Sequence, residues 1–348
     1  MAKDEVIILD DTFGLNRKKI LNEVLGKERA EKLLNEKKES KPKKSFKKNK
    51  DSDTEKESNP DVKKMKIIFS RKGFDAENGG IASPIMPDGT LLSMPIPSGD
   101  NMGMDYYGYK GKSYFEIWKE LKPGKKSYNC YCHLDPDIRR DNRCIPDVSR
   151  PGGFVKEIPD NWKPIFGQFG AAETHLENQG VSVGDLFMFF GWFRQTEEKE
   201  GTLTYRKGSK DAHILYGFLQ VGEIVRGKAV EKYPWHPHSK YYSPENNNTM
   251  YIASEKLVIN GVDTGLPGAG VFKFSDELVL TMPGQTKSRW QLPEFFKEVN
   301  ISCHSADSFK SEGYFQTVRI GQEFVVSEDD RVTNWAKQII INNFDKED

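Results

Sequence analysis

Hydrophobic and polar positions follow two different patterns along the chain, and the change falls at Met65. Before it, Val6–Leu9 is an apolar run of strand length. Ile20, Leu21, Val24, Leu25, Ala30, Leu33 and Leu34 recur close to helical spacing, which predicts a helix inside an N-terminal extension over 1–38. From Lys37 to Asn59 the only aromatic is Phe46, and the text runs KKESKPKKSFKKNK and then DSDTEKES. Such a segment cannot bury enough apolar surface to offset its ordering entropy, so 39–64 is predicted to be a disordered charged linker.

After Met65 the apolar residues return in short blocks. MKIIF predicts a strand, and the dense turn formers between Gly73 and Pro97 leave room only for strands at Ile81–Met86 and Leu91–Ile96, joined at Pro87-Asp88-Gly89. Tyr114–Leu121 reads as a short helix and Asn129–His133 as a strand end. Gly170–Asn178 reads as a helix stopped by Gly180. Leu186–Phe193 and His213–Val225 are near-continuous apolar runs around a polar excursion, the pattern of two buried, antiparallel strands. Further strands are predicted at Thr249–Ala253, Gly270–Phe274, Leu278–Thr281 and Glu323–Val326, with a closing amphipathic helix at Val332–Asn343. The fold class expected over 65–343 is α+β, mixed but mainly antiparallel, with flanking helices.

Composition narrows the function classes. The 348 residues fit one large domain or two packed ones, and 11% aromatic residues supply a core. With 52 basic and 52 acidic residues the net charge is +0, so there is no global basic footprint for nucleic acid. No apolar run approaches the roughly 20 residues of a membrane span. The acidic start MAKDEVIILDD lacks a signal-peptide layout, and four cysteines in so long a chain do not form a secreted disulfide framework. A cytoplasmic protein without a membrane partner is expected.

Several local sets can carry chemistry. Arg71 and Lys72 beside Gly73, with Asp75 following, can hold a phosphate or simply form a charged strand end. His133, Asp135 and Asp137 alternate along an extended segment, which would put all three on one side for acid–base work or a divalent ion; the alternative is an Asp-Pro turn. The Cys130-x-Cys132-His133…Cys144 spacing departs from the paired pattern of zinc sites, so no metal site is assigned. Gln168 and His175, seven apart with Glu173 between them, would share a helical face. Trp235-His236-Pro237-His238 would put His236 and His238 on a cleft, and Gln322 with Glu323 offers an amide and a carboxylate on a late strand. No Walker loop, dinucleotide fingerprint or nucleophile elbow is present, and the cofactor is left unknown.

Taken in order, IIFSRKGFDAENGGIASPIMPDGTLLSMPIPS, HLDPDI, FGQFGAAETHLENQGVSVGDLFMFFGWFR, HILYGFLQVGEI, GAGVF and GQEFVV resemble the bacterial and phage family called nucleotide modification associated domain 3. The resemblance covers roughly 65–343. In one place the chain departs from the pattern: Ile320 stands where an arginine would precede Gly321, and Arg319 comes one residue earlier. The resemblance implies a partner that is a nucleotide or nucleic acid, bound in a pocket for nucleotide or DNA-base modification. Arg71, Lys72, Asp75, Gln168, Trp192, His236, His238 and Gln322 would bind it, and His133, Asp135, His175 and Glu323 would act on it. A helix followed by G-V-x-x-G-D, an apolar strand and V-G-E-I is also similar to PUA-like barrels, implying a barrel portion. Two alternatives follow: a non-catalytic reader of modified nucleic acid that uses pocket aromatics such as Trp192, or a NAD-using transferase in phage defence.

Overall fold

The structure, a computed structural model, describes residues 64–125, 128–129, 131–142, 145–146, 154–155, 158–240, 247–318 and 323–345. The expected N-terminal strand, helix and charged linker therefore lie outside the described residues, apart from Lys64. Met65–Asp348 forms one compact unit.

Nine strands build the main sheet: β1 (Ile67–Arg71), β2 (Ser83–Ile85), β3 (Ile165–Gln168), β4 (Leu186–Lys199), β5 (Thr202–Tyr205), β6 (Ala212–Arg226), β7 (Thr249–Ala253), β8 (Ala269–Val271) and β9 (Glu323–Val326). Their path runs β9-β1-β4-β6-β7-β3, with β2 and β5 on β4 and β8 on β6. Pairing is antiparallel except for β1 and β2, which each run parallel to β4, with Ile67 opposite Leu186 and Ser83 opposite Phe193. Among the described residues three α-helices accompany the sheet: α1 (Tyr114–Leu121), α2 (Gly170–Asn178) and α3 (Asp330–Asn343). The α+β class is the one observed. Among the described residues the sheet is open, with β9 and β3 at its ends, and no barrel closes. Gly217 and Gly222 on β6 permit close backbone approach. A Cβ at Gly217 would sit 2.8 Å from the Gly270 carbonyl, and one at Gly222 would sit 2.6 Å from the Ser254 Cα.

The central strand explains its own sequence. Leu186–Gly191 is buried without interruption because β1 and β6 flank it and aromatic side chains cover both faces. Phe187 and Phe189 meet Phe166 on one face, while Phe190 meets Trp290 on the other. The turn into β4 depends on Gly184 at φ +90° and on buried Asp185, which accepts the Lys66 N–H at 3.0 Å and the Ser182 N–H at 2.9 Å. That carboxylate ties the starts of β1 and β4 together.

The polar excursion after Phe193 is longer in strand than its composition implies. β4 continues to Lys199 and turns into β5, pairing Thr196 with Tyr205. Leu203 and Tyr205 then reach a second apolar cluster around Phe74, Tyr114 and Trp118. The strand expected over Leu91–Ile96 is shifted. Leu91 makes only an isolated bridge to Ile85, and the extended segment is Ile96–Gly103, because Pro95 offers no N–H to a ladder. The expected strand at Leu278–Thr281 is a 3-10 turn followed by isolated bridges. Helix α1 is closed by a Ser113–Glu116 capping box and α3 starts at the Asp329 cap. No described helix is long and apolar enough to cross a membrane.

Candidate functional site

The site grows from the shared ends of β9, β1 and β3. Ser70 lies opposite Glu323 in the β1–β9 ladder, which brings their side chains onto one face. Glu323 Oε1 accepts hydrogen bonds from Lys72 Nζ at 3.0 Å, Gln168 Nε2 at 2.9 Å and Ser70 Oγ at 3.2 Å. All four residues are buried. The Lys72 ammonium also lies 4.3 Å from the centre of the Phe166 ring. Three donors converging on one carboxylate oxygen fix the group in direction.

A second cluster adjoins it through β3. Asp135 Oδ1 accepts the Gly167 N–H at 2.7 Å, and the ring Nε2 of fully buried His236 lies 3.4 Å from the same oxygen. Burial alone would push the Asp135 carboxyl up. The facing His236 ring, with His238 and Lys72, outweighs it and holds the group at about 2. His238 Nδ1 meets Asn248 Oδ1 at 2.6 Å, and the Asn248 amide donates to the His238 carbonyl at 2.8 Å, which fixes the amide's orientation. The His238 Nε2 lies 3.2 Å from the His133 Nε2. Burial pushes His238 down to about 3, against the pull of Asp135, so its ring is neutral at neutral pH. Asp135 also borders a cavity of about 20 Å3 shared with Tyr216, Asn142 and Ser93, enough for one water.

Gly167 is the steric condition for this arrangement. A Cβ there would lie 2.2 Å from the His238 ring, which the Asn248 bonds hold in place. Gly167→Ala is expected to cost about 1–3 kcal/mol of stability by overpacking and to separate His238 from His133. Denaturant unfolding and histidine ring NMR signals check this; an unshifted His238 would refute it.

The remaining predicted residues divide between the two faces. His175 Nε2 meets Ser302 Oγ at 3.0 Å, and the same oxygen accepts the Val325 N–H at 2.8 Å. Burial lowers the His175 pKa while Glu323 opposes it. Neighbouring Cys303 is pushed up to about 11 by burial, so its thiol stays protonated. Arg71 follows Ser70 and precedes Lys72, so strand alternation turns it to the opposite face. Its pKa is lowered by burial and raised by Asp75 and Glu323. Trp192 also belongs to that region, with Lys287 Nζ 3.5 Å from the centre of its ring. Asp75 Oδ1 accepts the backbone N–H groups of Glu77 and Asn78, an Asx turn that shapes the loop. Asp137 departs from the expected His133–Asp135–Asp137 row: its carboxylate accepts the Trp162 indole N–H, and its backbone pairs with Ile165. Gln322, Arg319, Ile320, Cys130 and Cys144 lie outside the described residues.

Thus Lys72, Gln168, Glu323, Asp135, His133, His236 and His238 come together, with His175 beside them. Arg71 and Trp192 do not. Sequence reasoning missed Ser70, Asn248 and Ser302, single polar residues whose only signal is position in a ladder. No curated protein and no solved structure matches the chain. The family described as nucleotide modification associated domain 3 matches residues 66–327, a span that contains both clusters. The chain belongs to the nucleotide modification associated domain 3 family.

Proposed function

We propose that the protein binds a nucleotide or a nucleic-acid base against the Glu323 and Asp135 clusters and takes part in its modification. Glu323 is the observation that carries this reading. A buried carboxylate with three aligned donors is expensive to build and contributes little to stability compared with apolar packing. Such groups concentrate at sites that act on a ligand. Half-buried His133, His175 and Phe169 flank the clusters, offering imidazoles and one aromatic face to a planar base. The family description supports a nucleotide or nucleic acid as the partner. A cytoplasmic location agrees with such a partner.

The test is binding of the full chain to a panel of nucleotides and of unmodified and modified DNA. Glu323→Gln keeps the shape and removes the charge, and is expected to weaken binding roughly tenfold or more, the scale of one charged hydrogen bond. No binding across the panel would end the proposal. Mass analysis of the bound base then separates modification from recognition alone.

A further inference from the structure

We propose that His133, Asp135 and His238 form a binding site for a single divalent transition-metal ion of the Zn(II) or Fe(II) class, with His236 supporting the carboxylate. Two imidazoles and one carboxylate are ligands suited to such ions, and each offers an atom within 4.8 Å of the others. The His133 and His238 Nε2 atoms are 3.2 Å apart. Two metal–nitrogen bonds of about 2.1 Å spanning that gap enclose an angle of about 100°, between octahedral and tetrahedral values.

The surrounding hydrogen bonds set the rings for this task. Asn248 Oδ1 can only accept, so His238 carries its proton on Nδ1 and turns the Nε2 lone pair toward His133. Metal-binding histidines usually hold their second nitrogen in this way. His236 does the same for the carboxylate. Its Nδ1 accepts the His238 N–H at 3.3 Å, which leaves the proton on Nε2. That Nε2 is buried and lies 3.4 Å from Asp135 Oδ1. It is a donor placed to orient a ligating carboxylate. Three protein ligands leave coordination positions open, as in catalytic rather than closed structural sites.

The competing arrangement is a plain imidazole–imidazole hydrogen bond between His133 and His238. Titration of the full-length chain with Co(II), after chelator treatment and without nucleotide, distinguishes the two. One equivalent is expected, read from the visible absorption of bound Co(II) and displaced by Zn(II). Omitting nucleotide makes the result independent of the function proposed above. Half-buried His133 is the substitution most compatible with folding, and His133→Ala and His236→Ala are each expected to weaken Co(II) binding about 10–100-fold. Pulsed electron spin resonance of the Cu(II)-loaded wild-type chain needs no variant and should show two coordinated imidazoles. Absence of one-equivalent binding, unchanged affinity in folded His133→Ala, or a Cu(II) signal without imidazole nitrogens would each overturn the proposal.

Discussion

Lys72→Met should lower the unfolding free energy by about 3–5 kcal/mol, more than any other single change considered. The Lys72 and Glu323 side chains are 6% and 1% exposed and meet at 3.0 Å, so removing the cation strands a carboxylate where water cannot reach it. Ser70 and Gln168 still donate to Glu323, but neither supplies a charge. The cost arises from the orphaned carboxylate rather than from the lost pair, and that distinction can be measured. Lys72→Met combined with Glu323→Leu removes both charges and should recover most of the loss. Equal instability in the single and double variants, by urea unfolding, would show that Lys72 acts through its packing on Phe166 instead.

Glu173 on α2 should make stability depend on pH between about 4.5 and 7. It is buried, and accepts the Tyr251 hydroxyl at 2.9 Å and the Arg226 guanidinium at 3.2 Å. Burial dominates these contacts and raises the carboxyl from its ordinary 4.5 to about 7. The folded chain therefore keeps a proton that the unfolded chain releases at lower pH. The contribution of Glu173 to stability is fully present below 4.5, falls as pH rises through the window, and is lost above 7. The full difference is on the order of 3 kcal/mol. Glu173→Gln keeps an acceptor for Tyr251 and cannot titrate, so this part of the slope should vanish. Identical slopes in the wild type and the variant, from unfolding at a series of pH values, would reject the assignment.

The sequence revealed the sheet more clearly than the site, for physical reasons. Buried strands such as Leu186–Phe193 and the helices at Tyr114 and Gly170 write themselves in local periodicity and capping. The two histidine motifs were visible as text, since HLD and WHPH are unusual clusters. Their meeting was not, because His133 and His238 are 105 residues apart and are brought together by the Asp135–Gly167 bond and the β3–β7 pairing. Arg71 and Lys72, neighbouring cations, look equivalent in a sequence. In a strand, consecutive side chains face opposite ways, so Lys72 joins Glu323 and Arg71 does not. The barrel expectation failed on a similar ambiguity: a Gly-Asp turn before an apolar strand fits an open sheet equally well.

The parallel pairing of β1 with β4 also sets a timetable for synthesis. Lys66 and Asp185, which close that pairing, are 119 residues apart, and Ser70 and Glu323 are 253 apart. At about 5–20 residues per second, β1 leaves the ribosome roughly 6–24 s before β4 and roughly 13–50 s before β9. During that interval the apolar Ile67–Phe69 segment has neither sheet neighbour. A nascent chain of this kind should depend on holding chaperones, and the Lys72–Glu323 pair should be among the last contacts to form.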